Sequence, residues 1–173
     1  MSYFIGGNAK IEFAGQTRYY VVAGLPRENV ELFLETGSIG VEEGKPLQNA
    51  RLGEVAVGSL YSKGNLFKRP VKVGDKISIN GKDVKVVSIM KEIGNPGDDQ
   101  NIYMFTDTFE EIFGKTDRVD MVYVQVQPGE DIKEVSDRLD RRLMQFRGVN
   151  EKTKDYTLLT LSLIHISEPT RPY

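Results

Sequence analysis

The segment "KISINGKDVKVVSI", residues 76–89, constrains the fold most, because it encodes two β-strands around a two-residue turn. Both central positions of a type I′ turn need positive φ, so Asn80 and Gly81 predict a tight hairpin. The first strand alternates, with Ile77 and Ile79 on one face. The second strand carries apolar residues on both faces, which is typical of a strand buried on two sides in a small barrel or a packed two-layer domain.

The segments around this hairpin predict a mixture of short strands and helices. A helix is expected after Pro26, because Val30, Phe33 and Leu34 follow at helical spacing. A second, short helix is expected after Phe105, with Thr106 or Asp107 as its cap. Further strands are expected over four stretches of apolar and β-branched residues: 8–14, 17–23, 54–59 and 101–105.

The C-terminal part reads as a strand, a helix and a closing strand over 120–127, 131–146 and 155–160. Asp131 has the position of an N-cap, with the glutamate of a capping box three residues later. The helix has an apolar stripe, and Leu139 is expected to be fully buried against the strand. That strand presents three valines on one face: Val122, Val124 and Val126.

The residue inventory excludes most catalytic chemistry. The chain has no cysteine and one histidine, His165, so thiolate metal sites are excluded and a zinc site is not expected. A histidine-assisted nucleophile is not expected either, and no phosphate-binding glycine motif is present. We therefore expect no enzyme, no catalytic residues, no cofactor and no metal. With 23 basic and 25 acidic residues, the chain is also not expected to bind nucleic acid.

The last thirteen residues, "LSLIHISEPTRPY", differ in composition from what precedes them. They resemble a vector read-through seen at the ends of unrelated sequences, and we expect 161–173 to be foreign to the fold. A short native tail is the alternative.

A basic run interrupts an otherwise acidic chain. Residues 63–91 carry a net charge of +6, whereas the whole chain carries −2. Such asymmetry can mark a docking surface for an acidic partner or for lipid headgroups. The alternative is a solvated face on which lysines protect strand edges. The densest part of the run is the candidate docking surface: Lys63, Lys68, Arg69 and Lys72.

Two adjacent acids, Asp98 and Asp99, lie in a Gly-Pro loop. They could bind a divalent cation, but a calcium loop needs more oxygen ligands at fixed spacing. A solvated turn in which an aspartate caps its own backbone is the favoured interpretation.

The order of the segments carries a family resemblance. "EVAVGS", "LF" and "VGDKISINGKDVKVVSIM" are followed by "DDQNIYMF" and then by "DMVYVQVQPGEDIKEVSDRLDRRL". Over about 17–160 this order resembles the extracytoplasmic core domain of MacB-like ABC transporter permeases, a group that includes FtsX-type and LolC/LolE-type permeases.

The resemblance implies an α+β fold with two parts within 1–160. A porter-like βαβ subdomain would comprise about 8–37 and 106–160, and an inserted small β-rich subdomain, called Sabre-like, would comprise about 38–105. The chain begins where the first porter unit should be nearly finished, so we expect that unit to be truncated at its N-terminus.

The resemblance also implies a function. The domain would lie on the extracytoplasmic side of the cell membrane, between the first two membrane helices of a four-helix permease. It would act as a lever and docking surface for ATP-driven motion. Its partners would be a cytoplasmic ABC ATPase, a second permease copy in a homodimer, and an adaptor or lipoprotein. The alternative from another class is a stand-alone binding module built on a small barrel, without a membrane partner.

Overall fold

The computed structural model describes residues 1–28, 30–32 and 40–160. The described part divides into two compact units, Met1–Val124 and the residues from Gln125 onward. Eight strands belong to the first unit: β1 (Ser2–Phe13), β2 (Gln16–Leu25), β3 (Val41–Gly44), β4 (Glu54–Val57), β5 (Lys76–Ile79), β6 (Lys82–Met90), β7 (Ile102–Phe105) and β8 (Met121–Tyr123). The α-helices are α1 (Pro96–Asp99), α2 (Thr106–Phe113) and, in the second unit, α3 (Ile132–Arg147).

The predicted hairpin is present. β5 and β6 pair antiparallel with Ile79 opposite Lys82, and the turn residues Asn80 and Gly81 have φ values of 49° and 83°. Both values lie in the left-handed region that a type I′ turn requires. The β1–β2 hairpin has the same geometry, with Ala14 and Gly15 at positive φ.

The strands of the first unit close into a six-stranded barrel. Around the barrel the order is β1, β2, β7, β4, β6 and β5, and β5 pairs back onto β1. β3 adds to β6 and β8 adds to β1 outside this circuit. Closure pairs each of the six with two neighbours, so the hairpin of β5 and β6 belongs to a continuous barrel.

Two apolar clusters lie on the two faces of this sheet. Ile11, Val57 and Ile79 are among the side chains of the first cluster. The second cluster contains Leu47 and Phe105, together with alternate residues of the same strands. The strand β6 contributes to both clusters, which explains why its sequence is apolar on both faces.

The α+β class is confirmed, whereas the subdomain boundaries stay a prediction. β1 and β2 fall in the expected porter-like part, yet they share one hydrogen-bonded sheet with the strands of the expected β-rich part. Of the helix expected after Pro26, Glu31 and Leu32 are helical, whereas Phe33 and Leu34 lie outside the described residues. The segment 161–173 lies outside them as well.

The cap of α2 differs from the expectation. Phe105 is the N-cap residue and Thr106 is the first residue of the helix, because β7 runs directly into α2. The Asp107 carboxylate accepts a hydrogen bond from the Thr108 N–H at 2.6 Å and pairs with Arg27 at 2.8 Å.

The predicted strand–helix–strand unit is wrong in two of its three elements. The helix is present, with the Asp131 carboxylate accepting the Glu134 N–H at 2.9 Å and Gly148 closing it at φ 65°. The strand expected over 120–127 is only β8, and no strand is assigned over 155–160. A strand forms where its backbone pairs with a neighbouring strand. β8 is short because, among the described residues, it pairs only with Ser2–Phe4 of β1.

The burial expected of this unit is also wrong. Leu139 is half-buried, Val122 and Val124 are exposed, and no residue of α3 is buried. The apolar stripe of the helix therefore reflects helical periodicity, and within the described part of its own unit the helix buries none of its residues.

No helix within residues 1–28, 30–32 and 40–160 has the length and apolar character to cross a membrane.

Candidate partner-docking surface

The four candidate residues lie on the connection between β4 and β5, residues 58–75, here called the basic loop. It begins with a 3-10 helix, Ser59–Tyr61, and it is packed rather than free. Leu66, Phe67 and Val71 are buried in the first apolar cluster. A backbone hydrogen bond from the Val71 N–H to the Tyr61 carbonyl, 2.9 Å, closes the loop on itself.

Aromatic contacts fix the loop to the barrel. The Phe67 ring lies edge-on to Phe13 with ring centroids 5.6 Å apart, and it lies 6.0 Å from Tyr61. Tyr61 in turn meets Tyr20 of β2 edge-on at 6.1 Å. Each edge-to-face pair adds to the burial of its rings. The exposed basic residues therefore project from a rigid base.

Arg69 is committed to the fold. Its guanidinium donates to both carboxylate oxygens of Asp75, at 2.9 and 3.3 Å, and its Cζ lies 4.2 Å above the Phe13 ring. The hydrogen bonds from Arg69 hold the pKa of Asp75 below its usual value, with a further contribution from the Lys72 N–H at 2.9 Å. Such planar bidentate geometry suits arginine in particular.

Lys63 also has a charged partner. Its Nζ lies 2.7 Å from Oε1 of Glu92, and both side chains are largely exposed. Glu92 stands one residue beyond the basic run as drawn from the sequence, so the surface is less positive than the count over 63–91 indicates.

Lys68 and Lys72 carry the remaining charge of the loop. Both are exposed, and within the described residues neither ammonium has a carboxylate within 4 Å. Their backbone N–H groups are bound by the Gln16 side chain and the Asp75 carboxylate respectively. These two lysines are therefore the part of the predicted surface available to a partner.

Two other lysines of the basic run lie on the strands that follow this loop. Lys76 and Lys85 are directly opposite each other on β5 and β6, and both are exposed. Like charges in such a pair repel, so they favour solvent or an anionic contact rather than each other.

The adjacent acids form a backbone cap. The Asp99 carboxylate is buried and accepts hydrogen bonds from the Ile93 and Gly94 N–H groups at 2.8 and 3.0 Å. Asp98 is bound by the Asn95 amide at 2.8 Å. Capping of backbone N–H groups is confirmed, whereas the solvated loop is wrong, because Asp99 is buried and both acids lie on α1. No group of three or more potential metal ligands occurs in the described part of the chain.

Comparison with known proteins places these features in a family. A family model described as the MacB-like periplasmic core domain matches residues 7–142. An uncharacterized ABC transporter permease of Methanocaldococcus jannaschii is 33% identical over 156 residues, which is 89% of this chain. The chain spans 37% of the length of that relative.

Solved structures share the fold at low identity. The extracellular domain of the noncanonic ABC-type transporter YknZ from Gram-positive bacteria superposes with a TM-score of 0.64 at 17% identity, covering 87% of this chain and 76% of that one. The periplasmic region of MacB from Actinobacillus actinomycetemcomitans gives 0.60 at 12% identity, covering 86% and 67%. The chain therefore belongs to the family of MacB-like periplasmic core domains, the extracytoplasmic domains of ABC-type transporter permeases.

Proposed function

We propose that this domain transmits ATP-driven motion from a permease to the outside of the membrane and docks a partner or substrate through the basic loop. The observation that carries the proposal is the rigid attachment of Lys68 and Lys72 to a closed barrel. Family membership supports the setting, in which the domain lies between the first two membrane helices of a permease. The same proposal divides the domain into a porter-like and a Sabre-like part. It gives the full-length permease three kinds of partner: a second copy in a homodimer, a cytoplasmic ATPase, and an adaptor or lipoprotein.

A mechanical role needs a body that moves without deforming. The barrel supplies it, because each of its six strands pairs with a neighbour on either side over at least part of its length, and apolar clusters pack both faces of the sheet. Closely packed interiors have low compressibility and transmit strain. Displacement at one end of such a body moves the basic loop as part of the same body.

Docking through exposed charge suits this loop. Lys68 and Lys72 are exposed, so a partner carrying negative charge can approach them without disturbing the core. The electrostatic attraction is then gained at a small desolvation cost. Charges of this kind mainly accelerate association and select partners, and salt screens them over about 8–10 Å at physiological ionic strength.

The alternative function, a stand-alone binding module built on a small barrel, is favoured by the closed barrel itself. Strands β2 to β7 nevertheless lie within the matched residues 7–142, together with most of β1. The permease setting therefore accounts for more of the chain.

The test reverses the two available charges in the full-length permease. Lys68→Glu with Lys72→Glu should weaken engagement of partner or substrate, in a salt-dependent manner, while expression and ATP hydrolysis by the ATPase subunit stay close to wild type. Replacing Arg69 as well would break its ion pair with Asp75 and confuse docking with folding.

The matched control makes the same charge change elsewhere: Lys76→Glu with Lys85→Glu, on the outer face of β5 and β6. We expect transport to respond to the loop variant and to be nearly unaffected by the control. If both variants transported as well as the wild type, the basic loop would have no role in docking.

A further inference from the structure

The first half of β2 has a neighbouring strand on one side only. β1 pairs with β2 along its length, from Gln16 to Gly24. The parallel strand β7 pairs only with Val22–Leu25. The stretch Gln16–Val21 therefore presents an open edge inside an otherwise closed barrel.

The hairpin geometry decides which backbone groups face this edge. After a two-residue turn the flanking pair, Phe13 and Gln16, is hydrogen-bonded, and the bonding alternates from there. Even-numbered residues of β2 thus bond to β1, and Thr17, Tyr19 and Val21 turn their N–H and carbonyl groups outward. The same alternation appears on β1, where the Lys10 carbonyl accepts the Asn80 N–H of the opposite neighbour at 2.8 Å.

Most of the outward groups have no partner in the described part of the chain. The Thr17 carbonyl accepts a hydrogen bond from Nη1 of Arg18 at 2.8 Å. The N–H groups of Thr17, Tyr19 and Val21 and the carbonyl of Tyr19 have none there. Tyr19 is 71% exposed, and Thr17 and Val21 are exposed as well, so the residues of this edge lie at the surface.

The charge around the edge is positive. The hydrogen bond to the Thr17 carbonyl holds the Arg18 guanidinium at the edge itself. The basic loop reaches the start of β2, where the Lys68 N–H binds the Gln16 side chain. Within the described residues neither Arg18 nor Lys68 has a carboxylate partner.

We propose that this edge binds an extended acidic segment of a partner protein, which adds to the sheet as a further strand. Main-chain hydrogen bonds to Tyr19 and its neighbours would hold the segment, and Arg18 and Lys68 would select acidic side chains. The open stretch accepts about five residues, roughly 17 Å of strand. This inference rests on the proposed docking function and specifies the chemistry of the partner.

A second copy of the chain fits the edge less well. Antiparallel pairing of two β2 strands about Tyr19 would bring both Arg18 side chains and both basic loops close together. Like charges across a strand pair are destabilising, and edge lysines and arginines commonly prevent such pairing.

Backbone amide hydrogen exchange tests the edge residue by residue. In the free chain, the Arg18 and Tyr20 amides should be protected, whereas those of Tyr19 and Val21 should exchange quickly. The probe is a capped ten-residue peptide in which glutamate alternates with valine and threonine. Its addition should protect Tyr19 and Val21 selectively, and a peptide with lysine in place of glutamate should bind at least about tenfold more weakly.

Tyr19→Pro is the decisive variant, because it removes an N–H that faces the open edge and no hydrogen bond to β1. It should weaken the acidic peptide about tenfold, while Tyr19→Thr, which keeps the N–H, should retain most of the affinity. If Tyr19→Pro loses the native circular dichroism spectrum, Arg18→Glu with Lys68→Glu replaces it, with the same expected loss.

Protection of Tyr19 and Val21 in the free chain, or an unchanged exchange pattern with bound peptide, would overturn the proposal. Concentration-dependent dimers with the same protection would instead assign the edge to a second copy. These measurements use the isolated chain, so their failure leaves the transport test of Lys68 and Lys72 standing.

Discussion

Arg69 and Asp75 form a bidentate ion pair that closes the basic loop onto β5. Nη1 lies 2.9 Å from Oδ2 and Nη2 lies 3.3 Å from Oδ1, while the guanidinium covers the Phe13 ring at 4.2 Å. Arg69, which the sequence predicted as a docking residue, therefore anchors the basic loop. Lys68 and Lys72 remain available to a partner.

Asp75→Asn should destabilise the first unit by about 1–3 kcal/mol, because a charge-assisted pair and the bond from the Lys72 N–H are weakened. Urea unfolding followed by circular dichroism measures the loss. Asp83→Asn, at an exposed position on β6, is the matched control and should change stability by less than about 0.5 kcal/mol.

The same pair predicts a pH dependence. Arg69 lowers the pKa of Asp75 in the folded state, so the stabilisation is present above the unfolded carboxylate pKa of about 4. It is lost as the pH falls through the lower folded value. The wild type should therefore lose more stability than Asp75→Asn between about pH 5 and pH 2, and parallel curves would show that the pair contributes nothing.

Gly81→Val should cost about 1–3 kcal/mol, because φ at this position is 83° and a β-branched residue is strained there. Open space surrounds the position, so a steric clash does not contribute. Gly81→Asn is the control, since asparagine tolerates the left-handed region, and it should cost clearly less. An unchanged urea midpoint for the valine variant would contradict the turn geometry.

The sequence could predict this hairpin because its determinants are local, namely two turn residues and the alternation around them. Barrel closure depends on the pairing of β2 with β7 and of β1 with β5, which are distant in sequence and leave no local pattern. The ion pair of Lys63 with Glu92 spans 29 positions for the same reason. Helix periodicity predicted α3 correctly, but periodicity does not reveal whether a core lies beneath the apolar stripe.

Ile79 lies in a buried core and Leu139 does not, so replacing each with alanine should have unequal costs. Ile79→Ala, in the barrel interior, should cost roughly 2–5 kcal/mol from lost transfer energy and the cavity left behind. Leu139→Ala, at a half-buried position of α3, should cost less than about 2 kcal/mol. The chain has no tryptophan, so far-ultraviolet circular dichroism is the measurement. If both variants lost a similar free energy of unfolding, Leu139 would be buried as the sequence predicted.

Tyr61→Phe should leave the domain as stable as the wild type or more stable. The Tyr61 hydroxyl is buried and has no hydrogen-bond partner in the described part of the chain, so its removal relieves a desolvation cost of about 1–3 kcal/mol. Tyr103→Phe is the matched control, because the Tyr103 hydroxyl donates to the Asp98 carbonyl at 3.3 Å and its loss should be neutral or destabilising.

The two tyrosines also predict how the domain responds to alkali. Burial raises the pKa of Tyr61 far above its usual value and that of Tyr103 to about 12. Both groups therefore stay protonated in the folded state while the unfolded chain ionises above about pH 10. Stability should fall as the pH rises past that point, and Tyr61→Phe should reduce the slope. A steeper alkaline loss in Tyr61→Phe than in the wild type would show that folding lowers the pKa of Tyr61, contrary to its burial.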